Sequence, residues 1–327
     1  YYLKFLIIKK YLMNTPIAFF CFDRPYHTYR SIINLGQNPE AKDTDFIAFL
    51  DGPREIKDII KIESVEKILK SHSHLFKSLK IVKSSKNKSS ALNIRKGVTE
   101  VLSEYESVIV MEDDILVSKH FLHFMNVSLE KYKNFKDVWH INGYNYPLKT
   151  NNHDYYFIRL MHCWGWATWQ DRWTEFLANP LINDPYYINS IFNEEMRRDL
   201  DLNSKSNFWS QIEANRSKKI NTWAIFWYCF IFYKKGLCLS PALSYTKNIG
   251  LDNSGQNCSG YSNIDNKILN NNSSINFPKE IKENKEAIKE IKEFIDHRYS
   301  YQQRFFAKLK MISNKIKFLL KVIRQKS

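Results

Sequence analysis

Val108-Ile109-Val110-Met111-Glu112-Asp113-Asp114-Ile115 is the stretch on which the fold turns, because an apolar β-type run ends in three consecutive acids. Branched and flexible apolar residues in a short unbroken run read as a buried strand of a parallel sheet. In open α/β sheets ligands bind beyond the carboxyl ends of such strands, so the acids stand where chemistry is done. Their hard oxygens suit Mn²⁺ or Mg²⁺, and such an ion needs only one or two protein carboxylates when a diphosphate supplies further oxygens. A strand followed by a solvated acidic turn is the competing reading.

The same pattern extends upstream. Ile17 to Phe22, Phe46 to Leu50 and Leu79 to Val82 read as strands, separated by helices over Tyr29 to Leu35, Glu55 to Ser71 and Ala91 to Tyr105. Strand and helix alternating in short units predicts an α/β fold with a mostly parallel sheet covered by helices. Crossovers in such a sheet bring all C-terminal strand ends to one side. Asp23-Arg24-Pro25, Asp51-Gly52-Pro53 and Glu112-Asp113-Asp114 would therefore share one edge, although each alone is equally an ordinary turn or helix cap.

With 327 residues the chain has ample length for a large core. Its formal charge of +15 calls for an anionic partner, whether nucleic acid, anionic lipid or a phosphate-bearing substrate. Aromatic content of 15% is concentrated after residue 139, where flat rings serve a sugar cleft as well as a core. Five cysteines without metal-ligand spacing read as reduced, buried thiols of a cytoplasmic protein. Residues 1–13 read as an N-terminal extension, their apolar run being shorter than the roughly 20 residues that span a bilayer.

The set Phe22-Asp23-Arg24, Leu50-Asp51-Gly52, Ala91-Leu92-Asn93-Ile94, Glu112-Asp113-Asp114-Ile115 and Trp164-Gly165-Trp166-Ala167-Thr168-Trp169 resembles the GT-A fold glycosyltransferases, and within them the N-acetylglucosaminyltransferase I-like group. It is also similar to bacterial enzymes that build surface polysaccharide. The resemblance covers about Pro16 to Gly260 and implies a GT-A-like (Rossmann-like) domain over 14–262. Its donor half would be 14–118 and its acceptor half 119–262. It further implies that Asp23, Arg24, Asp51, Gly52, Glu112 and Asp113 contact a nucleotide-sugar donor, with Asp51 accepting from the base of a uridine diphosphate sugar. Asp114 would be the direct ligand of Mn²⁺ or Mg²⁺. Lys86, Lys88 and Arg95 are near enough to face phosphates, but a solvated basic loop is the preferred reading.

Trp164, Gly165 and Trp166 suggest a tight aromatic loop along a sugar's apolar face, Gly165 permitting close backbone approach. Trp169 and Trp173 read instead as core. Where the N-acetylglucosaminyltransferase I-like enzymes carry an Asp as catalytic base, this chain has Ile225 and Phe226. An inverting transfer needs a carboxylate to take the acceptor's proton. Glu213, on a helix over Phe208 to Arg216, and Asp252, in a Gly/Asn/Ser-rich loop, are the two acids put forward. Their competing readings are a surface helix charge and a turn former.

Residues 263–327 read as a helical tail whose last acid is Asp296. Beyond it Phe305, Leu309, Ile312, Ile316, Leu319 and Ile323 recur at helical spacing among unbalanced Lys and Arg. Such a helix lies on an anionic membrane surface, at on the order of 1 kcal/mol per basic residue; docking on the domain is the alternative. The expected protein is thus a metal-dependent, inverting glycosyltransferase, acting on a glycan or lipid-linked acceptor at the inner face of the cytoplasmic membrane, with no nucleic-acid partner. Alternatives are a nucleic-acid-binding or metal-dependent phosphodiester-cleaving protein, and a sugar-binding homologue without catalysis.

Overall fold

The computed structural model describes residues 14–148, 154–179, 185–252 and 269–297. The chain is a mixed α/β protein built on a mostly parallel eight-stranded sheet with flanking helices. β1 (Ile17–Cys21), α1 (Pro25–Leu35), β2 (Asp45–Leu50), α2 (Asp58–Ser71), β3 (Ser78–Lys83), α3 (Ser89–Glu104) and β4 (Ser107–Glu112) follow one another in the expected alternation. β5 (Ile115–Val117), α4 (Phe121–Tyr132), β6 (Val138–Asn142), β7 (Tyr155–Ile158), β8 (Trp166–Trp169) and α5 (Gln170–Leu177) come next. The described chain then adds α6 (Pro185–Ile191), α7 (Glu194–Leu200), α8 (Phe208–Arg216), α9 (Ala224–Tyr233), β9 (Leu237–Pro241), β10 (Thr246–Asn248) and a helix α10 over 285–297.

Spatial order in the main sheet is β3-β2-β1-β4-β8-β6-β9-β7. The first four strands are parallel; β8 and β7 run against their neighbours. Core strands β1 and β4 are apolar on both faces because helices cover both, which is why their sequences run apolar without alternation. A small second sheet pairs β5 with β10 antiparallel, Asn248 opposite Ile115. This ribbon brings residues near 250 back to the acidic run.

The aromatic wealth is mainly core. Trp166, at 1% exposure, stacks on His140 at 5.1 Å and on Trp223 at 5.2 Å. The buried His140 accepts from Trp227 Nε1 through Nδ1 at 3.1 Å, while its Nε2 lies 3.1 Å from the His162 carbonyl. An indole only donates and a carbonyl only accepts, so the ring is the neutral Nε2–H tautomer. Burial pushes His140 down to about 3, in keeping with that neutral form. Cys21, Cys229 and Cys238 are buried free thiols pushed up by burial; Cys163 is free and half-buried.

Part of the stretch expected as tail packs on the sheet. Ala287, Ile291 and Ile295 of α10 are buried in the main core, and Ile275, Phe277 and Ile281 pack on its other side. Glu283 pairs with Arg159 at 3.1 Å and bridges to Phe157 of β7. Residues 269–297 thus belong to the packed domain. The basic amphipathic stretch from Phe305 to Ile323 lies outside the described residues, as do 1–13. Among the described residues, no helix is long and apolar enough to cross a membrane.

Candidate functional site

The ladder of the parallel sheet continues one residue past each strand end and sets the site's spacing. Asp51 N donates to Cys21 O, Asp113 N to Phe20 O, and Ser84 N to Leu50 O, at 3.0, 3.0 and 2.9 Å. Asp51 and Asp113 therefore flank β1 at its carboxyl end, as the strand pattern predicts. Just past the same end, Arg24 stands at the start of α1, where Pro25 enters the first turn with no N–H to satisfy. Ser31 of α1 donates to the Asp113 carbonyl at 2.7 Å, tying the helix to the acidic run.

Arg24 is the hub. Its Nη2 bonds Asp113 Oδ1, and its Nη1 lies 3.0 Å from Asp114 Oδ2. Asp113 and Asp114 are buried at 2% and 8% exposure, so the guanidinium is their principal counter-charge. Burial pushes Arg24 down, but the two carboxylates more than offset it and hold the guanidinium above its ordinary range. Glu112 is pushed up to about 8, first by burial and then by the charges of Asp114 and Asp113. Burial also raises Asp113, with Arg24 opposing. Three carboxylates thus share one arginine.

Asp51 takes a different part from the one expected. Its Oδ1 accepts from Gly52 N and Lys88 N, both at 2.9 Å, and its Oδ2 accepts from Lys88 N at 3.2 Å. Buried at 4% exposure and held by these two backbone N–H groups, the carboxylate ties the Asp51-Gly52 turn to the loop leading into α3. Gly52 completes the clamp: a Cβ there would meet the Lys86 backbone at 2.6 Å. Asp23 pairs at 3.1 Å with Arg54, whose guanidinium lies 4.6 Å over the Phe22 ring and also contacts Asp58. Arg54 went unread in the sequence, its only signal being a cation two residues past the Asp-Gly turn.

The Gly-Trp loop abuts the acids through register. Val110 pairs with Trp166, and the antiparallel continuation sets Gly165 beside Met111. Gly165 has φ +71, and a Cβ there would lie 3.3 Å from Met111 Sδ and 2.8 Å from Thr246 Cγ2. Both the turn and the close approach demand glycine. Trp164 is half-buried next to it, against Tyr144 at 4.5 Å. Trp166 points into the core, and its expected role as a sugar-facing ring is corrected: β8 turns alternate residues inward, and this one went into the aromatic cluster.

Of the two acids put forward as base, the structure brings only Asp252 toward the site. Ile249 N donates to the Asp114 carbonyl at 2.8 Å, and a Cβ on Gly250 would lie 2.2 Å from Asp114 Oδ2, so the 248–252 turn rests on that carboxylate. Asp252 is half-exposed with its Oδ2 3.2 Å from His27 Nε2 on α1. Glu213 pairs with Arg216 at 2.6 Å on α8, a surface ion pair. Ile225 is buried at 3% exposure, so no acid stands where the resemblance would want one. Residues 253–268, the rest of the Gly/Asn/Ser-rich loop, lie outside the described residues.

No family model and no curated protein matches this chain. Solved structures that resemble it include TarS of S. aureus, 10% identical over 42% of this chain and 22% of that one, with a TM-score of 0.31. The galactosyltransferase LgtC, solved with donor and acceptor sugar analogues, is 10% identical over 54% of this chain and 63% of its own, with a TM-score of 0.32. The 4-diphosphocytidyl-2C-methyl-D-erythritol synthase of Anaerococcus prevotii is 11% identical over 52% and 78%, with a TM-score of 0.31. The chain spans about a fifth of the length of TarS and less than two thirds of LgtC. Likeness at this level says nothing of activity, which has to be read from the site.

The residues fit a divalent cation by their chemistry: hard oxygens, and three acids facing one counter-charge. Among the described residues no three or more His, Cys, Asp or Glu form a complete metal-holding group, and an ion that shares its shell with a diphosphate requires no such group. The charge imbalance makes a prediction. Glu112, raised above its unfolded value near 4.5, stabilises the fold below that value and loses the contribution as pH rises through about 8. Each unit of raised pKa is worth about 1.4 kcal/mol. Glu112→Gln is therefore expected to be more stable than the wild type at pH 8 in chelator, with the gap closing at pH 5 and on adding Mn²⁺. Urea titration checks it; a pH-independent difference removes the charge account.

Proposed function

We propose that the chain is a GT-A-type glycosyltransferase that moves a sugar from a nucleotide-diphospho-sugar, a uridine diphosphate sugar being favoured, to a glycan or lipid-linked acceptor, with inversion. The observation that carries this reading is Arg24 spanning Asp113 and Asp114, with Glu112 adjoining, at the carboxyl ends of parallel β1 and β4. Asp114 would hold Mn²⁺ or Mg²⁺, which when bound supplies positive charge to the leaving diphosphate. Arg24 orients both aspartates and adds its own charge toward that side. Asp51, through the Lys88 N–H, fixes the 86–89 loop as one wall of the donor site rather than reading the base itself. Asp252 is the proposed base, taking the proton of the acceptor hydroxyl at its carboxylate while His27 Nε2 holds that carboxylate in place. Trp164 borders the sugar. Peripheral attachment to an anionic membrane through the basic segment after Asp296 belongs to the same proposal.

A thermal-shift screen of nucleotide-diphospho-sugars with and without Mn²⁺ tests it, since a ligand that binds only the folded state must stabilise it. A rise in Tm that needs both donor and Mn²⁺ is expected. No shift with any donor, together with a shift from oligonucleotides, overturns the reading in favour of a nucleic-acid-binding protein.

A further inference from the structure

A cavity of about 550 Å³ opens between α3, α5 and the segment joining α8 to α9, apart from the acidic run. That volume is in the range that holds a small ligand. Lys88, Arg95 and Lys218 line it, and among the described residues no carboxylate does. Trp223 and Phe226 present rings to the same space. Lys88 and Arg95 come from the α3 side and Lys218 from the facing segment, and an anionic occupant would be attracted to all three.

The wall is held in place by side chains. Asn215 Nδ2 donates to Thr222 Oγ1 at 2.9 Å and its Oδ1 accepts from Thr222 N at 3.0 Å, pinning the 218–222 turn to α8. Asn221 Nδ2 donates to Ser89 Oγ at 3.2 Å and so joins that turn to the start of α3. Ser89 and Lys218 both have positive φ, 65° and 57°, a backbone state that residues other than glycine rarely adopt. Such outliers persist where surrounding contacts over-determine them. Lys88 also links the two regions: its backbone N–H is held by Asp51 and its residue lines the cavity.

We infer that this cavity binds a carbohydrate carrying an oxyanion, the cations taking the anionic group and Trp223 and Phe226 taking the ring's apolar face. The shared chemistry is a carboxylate or a phosphoryl ester on a sugar. Its service as the acceptor site rests on the transferase reading above; the binding itself does not.

The test uses the full chain in chelator, without donor, titrated with glucose 1-phosphate, glucuronic acid and, as the neutral control, glucose, followed by ligand-observed NMR. At least one of the two anions is expected to bind about tenfold or more tightly than glucose. The preference between them identifies the anionic group. Arg95→Gln and Lys218→Gln should each weaken that binding by about tenfold while leaving the shift produced by UDP with Mn²⁺ unchanged. Equal binding of glucose and both anions, no binding of either anion, or indifference to both substitutions overturns the proposal. So does loss of the UDP–Mn²⁺ shift in Arg95→Gln, which would make the cavity part of the donor site. If the wild type binds the anion but shows no UDP–Mn²⁺ shift, the transferase reading fails and the cavity assignment stands.

Discussion

Asp114→Asn is expected to abolish the Mn²⁺-dependent part of donor binding, a loss of about 100-fold or more, since even residues that merely support a metal ligand cost 10- to 100-fold. Asp114 is buried, its carbonyl holds Ile249 N, and its carboxylate lies against Gly250, so little else can take its place. Asn keeps the side chain's shape and its acceptor oxygen toward Arg24, and the fold should survive. Calorimetric titration of a nucleotide-diphospho-sugar with and without Mn²⁺ measures the loss, and near-ultraviolet dichroism checks the fold. Undiminished affinity in Mn²⁺ would remove the metal assignment.

Arg24→Met should be the most costly single change for stability at the site. It leaves Asp113 and Asp114 buried without their guanidinium, and breaking a buried pair from one side costs about 3 to 5 kcal/mol. Arg24 is itself one fifth exposed, so the lower end of that range applies. The sign with pH is fixed. Burial raises the Asp113 carboxyl and Arg24 opposes that; without the guanidinium its folded pKa rises further above the unfolded one, so the deficit is greatest at neutral and alkaline pH and shrinks as Asp113 protonates. Urea titrations at pH 5 and pH 8 give the measurement. A deficit equal at both would mean that Arg24 matters only for packing.

The apolar runs made the four parallel strands legible, because a strand covered on both faces writes its burial into local sequence. Arg24, Asp113 and Asp114 were placed together correctly for the same reason: each sits at or just past a strand whose direction the alternation fixes. What escaped depends on contacts between distant segments. Asp51 looks like a ligand-facing acid until the Gly52 and Lys88 N–H groups are seen to hold it between the turn and the 86–89 loop. Trp166 belongs to the aromatic-rich loop in sequence, yet β8's register turns it onto His140 and Trp223. Lys88 and Arg95 read as a solvated loop, since the wall opposite them comes from residues about 120 positions later. Ile275 to Ile295 read as tail because their partners lie across the domain.

The β5–β10 ribbon also sets an order of assembly. Ile115 finds its partner Asn248 about 130 residues later, and at synthesis rates of about 5 to 20 residues per second that interval is roughly 7 to 26 seconds. Through it the nascent chain carries Asp113 and Asp114 beside an unpaired strand edge, with no Gly250 turn upon them. Any competence for ligand that needs this turn therefore arrives only once nearly the whole domain has left the ribosome, and fragments ending before Thr246 should accumulate as sheet without site.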